Sequence, residues 1–308
     1  MKLSFVIPAY NEATTIGPCL DSILAALEGQ RGDSEIIVVD NGSSDDTAEI
    51  AGRYPGVTVV TEPRKGITFA RQAGFAKSSG ELIANLDADT RLTPGWLETV
   101  RRAFARDPQL VCLSGPFIYY DAPRSVRICT RLFYAAGFLT YLVNRFLLRA
   151  GSLVQGGNFI CLRWALERIG GFDTSIHFYG EDTDIAQRLH RQGKVAFTFR
   201  LPIYASGRRI AAEGLVATGA RYALNYFWVL VVGRPFTQES TDIRPSQARA
   251  RGTSPAERGI PSLQRRSPRS DRPAWTPRSL PDPGRDISTE GAPCSGGLEA
   301  LPKTAANG

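Results

Sequence analysis

The sharpest chemical signal in the chain is Asp87-Ala88-Asp89. Two carboxylates one residue apart can offer hard oxygen ligands to Mg²⁺ or Mn²⁺, an ion that keeps open positions for phosphate oxygens. A diphosphate leaving group needs such a charge, because negative charge builds on its oxygens as the bond to it breaks. Asp-x-Asp also occurs by chance in solvated turns. Its place decides between the two: Leu82 to Leu86 reads as an apolar strand, and the carboxylates stand where it ends.

A second carboxylate, Asp40, closes the apolar run Ile36 to Val39 and precedes Asn41-Gly42-Ser43-Ser44-Asp45-Asp46. There it can accept hydrogen bonds from a nucleobase or ribose, while Ser44, Asp45 and Asp46 suit a helix-capping turn. A third station is Tyr179-Gly180-Glu181-Asp182-Thr183-Asp184, just ahead of Ile185 and Leu189. Acids entering a helix are favoured by its dipole. A carboxylate at this point can equally act as the general base that takes a proton from an attacking hydroxyl. No GxGxxG follows the first strand and no GxxxxGK[ST] occurs, which argues against a dinucleotide fold and a P-loop.

These residues need positioning, and the first half of the chain supplies it. Leu3 to Ile7, Ile36 to Val39, Val57 to Val60, Leu82 to Leu86 and Leu110 to Leu113 read as strands. Helices are expected between them, one with Ile16, Leu20, Ile23, Leu24 and Leu27 on one side and capped by Thr14 or Thr15. Another opens at Asp46 or Thr47, one follows Lys65-Gly66, and one starts at Thr93-Pro94. Repeated β-α-β units predict an α/β fold with a mostly parallel, Rossmann-like central sheet flanked by helices. Ligands in such sheets sit beyond the carboxyl ends of the strands. Tyr10-Asn11-Glu12, Asp40-Asn41-Gly42 and Asp87-Ala88-Asp89 all fall there.

In chain order, Ser4-Phe-Val-Ile-Pro-Ala-Tyr-Asn-Glu12, Val38-Val-Asp-Asn-Gly-Ser-Ser-Asp-Asp-Thr47, Lys65-Gly66 with Ala70-Arg71 and Gly74, Leu86-Asp-Ala-Asp89, Gly170-Gly-Phe-Asp173 and Gly180-Glu-Asp-Thr-Asp184 resemble the family 2 glycosyltransferases. The resemblance runs from about Leu3 to Gly193. It implies a GT-A fold, a nucleotide-diphosphate sugar donor, a divalent metal (Mg²⁺ or Mn²⁺) and inversion at the anomeric carbon. By the same resemblance Pro8, Tyr10 and Glu12 line the nucleotide pocket, Asp40 holds the base, and Lys65 and Arg71 help with the nucleotide. Asp87 meets ribose or metal, Asp89 is the direct metal ligand, Asp182 is the catalytic base, and Glu181 beside it binds the acceptor. Gly156-Gly157-Asn158 is similar to an acceptor-side loop, and Arg208 and Arg209 stand where many members place basic residues. No QxxRW follows the Glu-Asp pair, which departs from the processive polysaccharide synthases.

The implied reaction moves one sugar to a lipid-linked or glycan acceptor at the cytoplasmic membrane face. A partner subunit that keeps the nucleotide pocket without turnover is the alternative, and all three acidic stations being present weighs against it. A sugar nucleotidyltransferase would carry a Gly-rich loop where Pro8-Ala9-Tyr10-Asn11 stands.

Composition breaks at Thr237. Beyond it there is no Val, Phe, Tyr or Met, yet the segment holds 10 of the 20 prolines. It cannot bury enough apolar surface to offset ordering, so 237–308 is expected to be a disordered tail. It is consistent with a linker or with translation of a wrong reading frame. The domain is expected over 1–236, with a nucleotide-sugar half at 1–115 and an acceptor half at 116–236. Up to Phe236 there are 26 basic and 22 acidic residues, and beyond it 11 and 8. That mild excess, without a basic stripe interleaved with aromatics, suits an anionic substrate or membrane surface and not nucleic acid. Five unpaired-looking cysteines suit a reducing cytoplasm, and Lys2 precedes too short an apolar run for a signal peptide. Leu132 to Val143 and Tyr222 to Gly233 are apolar but too short to span a bilayer. Flanking arginines suit the first to a membrane-surface helix, and a buried core helix fits either.

Overall fold

The computed structural model describes residues 1–29, 31–143, 153–176 and 179–232. The order is β1 (Leu3–Ala9), α1 (Ile16–Ala26), β2 (Ser34–Asp40), α2 (Thr47–Gly52), β3 (Val57–Thr61), α3 (Ile67–Lys77), β4 (Leu82–Leu86), β5 (Thr90–Leu92), α4 (Trp96–Arg106), β6 (Leu110–Ser114) and β7 (Phe117–Tyr119). Then come α5 (Arg124–Val143), β8 (Asn158–Leu162), α6 (Arg163–Arg168), α7 (Glu181–His190), β9 (Lys194–Phe197), β10 (Ile203–Ala205), α8 (Arg208–Glu213) and α9 (Leu215–Val232).

The seven-stranded sheet runs β3-β2-β1-β4-β8-β6-β9. β1, β2, β3 and β4 pair in parallel, and β6 pairs in parallel with β9. β8 alone is reversed, antiparallel to both neighbours. The sheet is therefore mixed but mostly parallel, an α/β arrangement of the GT-A type. Its strands are apolar runs because both faces are covered: β4 and β6 are buried at every position.

On one face Phe5, Leu20, Ile23 and Val100 pack around Trp96, whose ring lies 6.1 Å from that of Phe5. On the other, α7 sets Ile185, Ala186 and Leu189 against Phe159, Cys161 and Val195. A three-stranded sheet, β5-β10-β7, joins two loops that matter below. β5 begins directly after Asp89, and its Thr90 is the register partner of Ala205 at the end of β10. The chain turns from Ala205 into α8, so Arg208 arrives beside the β4 loop.

One cap bond and one helix start differ from the sequence reading. Thr15 stands at the cap position of α1, but its hydroxyl turns back to Glu12 Oε2 at 2.7 Å. α4 begins at Trp96, two residues beyond Pro94. The Thr93 hydroxyl is spent on the Pro202 carbonyl, 2.7 Å away, tying β5 to the approach to β10. The first apolar stretch lies in α5 and the second in α9, with Gly233 outside the described residues. Among the described residues no helix is long and apolar enough to cross a membrane. The expected disordered segment, 237–308, lies outside them as well.

Candidate active site

Because β2, β1 and β4 are parallel neighbours, their carboxyl ends open on one edge. The loops there are stapled by side chains. Asn11, in the left-handed region at φ 53°, accepts from the Ser44 amide at 2.8 Å and donates its own amide to Ser43 Oγ at 3.0 Å. The Glu12 amide donates to Thr47 Oγ1 at 2.8 Å and the Ala13 amide to Asp45 Oδ2 at 3.1 Å. Asp40 is buried and accepts from the Ser43 amide at 3.3 Å. Asn41, which the sequence places at the strand end without a role of its own, donates to the carbonyls of Glu62 and Arg64 and accepts from the Gly66 amide at 2.9 Å. It thereby fixes the turn carrying Lys65, whose ammonium lies 3.5 Å from the centre of the Tyr10 ring and donates to the Gly42 carbonyl. Pro8 is half-buried at the end of β1.

The next strand end gathers charge. The Arg208 guanidinium takes both oxygens of the buried Glu12 carboxylate and also lies 3.0 Å from Asp89 Oδ2. Burial pushes the Asp89 carboxyl up to about 7; Arg208 opposes this, while Asp87 and Glu12 add to it. Two carboxylates, Glu12 and Asp89, thus share one arginine fork, and a cation would find negative charge there that the protein leaves partly uncompensated. Among the described residues no group of three His, Cys, Asp or Glu side chains could hold an ion by itself. Asp87 and Asp89 offer two hard oxygen donors, leaving further positions to phosphate and water, which suits Mg²⁺ or Mn²⁺.

Arg71 sits beneath this loop with no exposed surface. It lies on the buried face of α3 with Thr68, Ala70, Gly74 and Phe75. Nη2 donates to Asp87 Oδ1 at 3.1 Å and to the Gly156 carbonyl at 2.6 Å, and Nη1 to Glu181 Oε1. The sequence placed Arg71 against the nucleotide. Its guanidinium is instead held by protein carboxylates from two halves of the site. The same close packing explains Gly156-Gly157: a methyl group on Gly157 would overlap the Asp87 carboxylate, and one on Gly156 would come within 2.8 Å of Glu181 Oε1.

Glu181 and Asp182 open α7. Burial pushes Glu181 up to about 7 against the pull of Arg71, and its Oε2 is buried with no hydrogen-bond partner among the described residues. That oxygen is an acceptor waiting for a donor. Asp182 is half-buried; loss of solvent raises its carboxyl above the ordinary range, opposed by the Thr183 amide, which donates to Oδ1 at 2.8 Å, and by Arg71. A carboxylate so placed is a stronger base than one in water. The Gly170-Gly-Phe-Asp173 segment is structural support. Arg188 donates to the Gly171 carbonyl at 2.8 Å, and the Phe172 amide donates to Gln72 Oε1 at 2.9 Å.

Asn158 must be corrected. The sequence reading gave it to the acceptor with Gly157, but it is fully buried. It accepts from Trp96 Nε1 at 3.0 Å and donates to the carbonyls of Gly115 and Leu201, so its amide faces the core. Of the two basic residues, Arg208 reaches the β1 and β4 loops, whereas Arg209 pairs with Glu213 at 3.0 Å.

This fold and site define a nucleotide-sugar transferase architecture, and comparison with known proteins agrees. The family model described as Glycosyl transferase family 2 matches residues 4–170. The chain belongs to glycosyltransferase family 2. Over 96 residues it is 44% identical to the dolichyl-phosphate beta-glucosyltransferase ALG5C of Trichomonas vaginalis, a match covering 28% of each chain. Over 116 residues it is 35% identical to the undecaprenyl-phosphate 4-deoxy-4-formamido-L-arabinose transferase of Sodalis glossinidius, covering 36% of each. The match therefore spans about a third of these relatives' length. Among solved structures, the mannosyltransferase PcManGT of Pyrobaculum calidifontis, in complex with GDP-Man and Mn²⁺, aligns with TM-score 0.54 at 23% identity, covering 70% of this chain and 62% of that one. Glucosyl-3-phosphoglycerate synthase of Mycobacterium tuberculosis, with Mn²⁺ and UDP-glucose, aligns with TM-score 0.53 at 19% identity, covering 77% and 80%. At these identities the likeness establishes the fold.

Proposed function

We propose that the protein is an inverting glycosyltransferase that moves one sugar from a nucleotide-diphosphate sugar to a lipid-linked or glycan acceptor, working at the cytoplasmic face of a membrane. The observation that carries this reading is the Arg71 bridge. One buried guanidinium holds Asp87 of the donor-side loop and Glu181 of the α7 entrance, so the two chemical stations form one site. Residues 1–115 serve the donor and 116–236 the acceptor.

Pro8, Tyr10, Glu12 and Asp40 bind the nucleotide, with Lys65 swinging from the Tyr10 ring. Asp89, with Asp87, holds Mg²⁺ or Mn²⁺, which when bound supplies positive charge to the departing diphosphate. Arg208 already lies on Asp89 and Glu12 and adds a second cation at the same place. Asp182 takes the acceptor hydroxyl's proton, and Glu181, with Oε2 unoccupied by protein donors, orients that hydroxyl from beside it. Gly157 keeps the floor low enough for Asp87 to reach its position. The solved neighbours crystallised with GDP-Man or UDP-glucose and Mn²⁺ support the donor class. The lipid-phosphate relatives support the acceptor class.

The test is thermal stabilisation by a panel of UDP- and GDP-sugars with and without Mn²⁺, since a ligand of the native state raises its apparent stability. We expect Mn²⁺-dependent stabilisation by at least one donor in wild type and none in Asp89→Ala. Equal stabilisation of both proteins by every donor would sink the metal assignment.

A further inference from the structure

α9 spans 18 residues, and its single charged residue is Arg221, about a third exposed and paired with Glu213. Val216 is 83% exposed, and Leu224 and Trp228 also face outward. On α5, Ile128, Leu132 (65% exposed) and Phe133 do the same. The two faces adjoin: a methyl group at Gly219 of α9 would meet the Phe133 ring at 3.9 Å. A helix in water normally shows polar residues on its outer face, so a contiguous apolar one marks an interaction surface.

Charge says what lies against it. Neither helix contains a single Asp or Glu, while α5 carries Arg124, Arg127 and Arg131. None of the three forms an ion pair among the described residues. Asp121, three residues ahead of α5, already accepts from Ser206 and Gly207, and Glu213, two residues ahead of α9, from Arg209 and Arg221. Apolar side chains beside unpaired arginines, with a Trp among them, fit the headgroup boundary of an anionic bilayer, in which a helix lies without crossing. No described helix is suited to crossing.

The surface also borders the acceptor station. Arg221 of α9 donates to Tyr179 Oη at 3.2 Å, and the Tyr222 ring meets that of Tyr179 edge-on at 5.8 Å. Tyr179 is two residues ahead of Glu181.

We propose that α5 and α9 together form a docking surface for an anionic lipid membrane, which brings the entrance of α7 to the bilayer. This rests on the membrane part of the function proposed above, and it is tested separately from catalysis. The full-length protein is sedimented with phosphatidylcholine vesicles and with vesicles containing phosphatidylglycerol. Donor hydrolysis is read in the absence of vesicles. Wild type is expected to sediment with the anionic vesicles and to release from them as salt rises. Ile128→Glu with Leu132→Glu should bind about tenfold more weakly or worse, since it removes buried apolar area and adds repulsion. Arg127→Gln with Arg131→Gln should also lose about tenfold and flatten the salt dependence. Unchanged melting temperature and hydrolysis in both variants show that they fold. Val216→Glu with Leu224→Glu reports on α9 in the same way if the α5 pair misfolds. The proposal is overturned if wild type ignores anionic vesicles, or if the glutamate variants bind as wild type does. It is also overturned if wild type is a dimer that these substitutions split without affecting lipid binding, which would make the face a contact between copies. Vesicle binding without donor hydrolysis would leave the surface standing and remove the enzymatic reading instead.

Discussion

Arg71 Nη2 lies 3.1 Å from Asp87 Oδ1, and the arginine that makes this contact has no surface in water. Its other amino group holds Glu181, so a single buried cation offsets charge from β4 and α7 at once. Removing one partner of a buried pair strands the other charge, which costs about 3–5 kcal/mol. Arg71→Met should therefore lose that much stability in urea unfolding, with Arg71→Lys between it and wild type. A loss below about 1 kcal/mol in Arg71→Met would show that the cluster does not depend on it.

Gly157 tests the floor of the site. A methyl group there would overlap the Asp87 carboxylate, so Gly157→Ala must move Asp87, Arg71 or the loop itself. Overpacking of this kind costs about 1–3 kcal/mol. The larger effect should fall on binding: Mn²⁺-dependent stabilisation by the donor should vanish while the fold survives. Normal donor binding in this variant would mean that Asp87 does not need its present place.

The raised Asp89 carboxyl predicts a pH dependence for the donor-free protein. Its proton is held up to about pH 7 in the folded state but only to about 4 in the unfolded chain. Between those values the folded state binds more protons, so this group's contribution to stability falls as pH rises. Asp89→Asn should flatten that slope in melting curves taken across pH 4 to 7. An unaltered slope would place its origin elsewhere.

How much of this was legible beforehand varies with distance along the chain. The ends of β2 and β4 show in the sequence because apolar runs stop at Asp40 and Asp87, and the end of β1 shows to within two residues because its run stops at Pro8; parallel pairing then forces those ends together. The reversal of β8 does not show: in Asn158–Leu162 four apolar residues follow the asparagine, with nothing local to set the strand's direction. Its register against β4 and β6 is long-range. The start of α4 was misplaced because Thr93 spends its hydroxyl on Pro202, a partner 109 residues away. Arg71 did leave a signal, since a charged residue on the apolar face of α3 beside Gly74 and Phe75 must find buried partners. Asp87 and Glu181 are those partners, and only the tertiary fold names them.

Asn158 separates a core role from an acceptor role. Its side chain satisfies Trp96 Nε1 and the carbonyls of Gly115 and Leu201. Asn158→Ala leaves these groups buried without a partner, at about 1–3 kcal/mol for each that water cannot reach. A fall in melting temperature is expected, with the KM for acceptor unchanged in the folded fraction. An unchanged melting temperature with a raised acceptor KM would return Asn158 to the acceptor loop.

Asp182→Asn sets base catalysis against helix capping. Asp182 Oδ1 accepts from the Thr183 amide at 2.8 Å, a bond that an asparagine oxygen can make equally well. Asn is also about as good as Asp at the start of a helix. If Asp182 only supports α7, the substitution should change neither stability nor turnover. If it takes the acceptor proton, the amide cannot replace it, and sugar transfer should fall by about 10²–10⁴-fold. Donor affinity should stay near wild type, because the Arg71 bridge to Asp87 and Glu181 does not require the Asp182 charge. Transfer is measured as kcat with donor and acceptor saturating, and donor affinity as Mn²⁺-dependent thermal stabilisation. Full transfer activity would move the base to another residue, with Glu181 and its unpartnered Oε2 the next to be substituted.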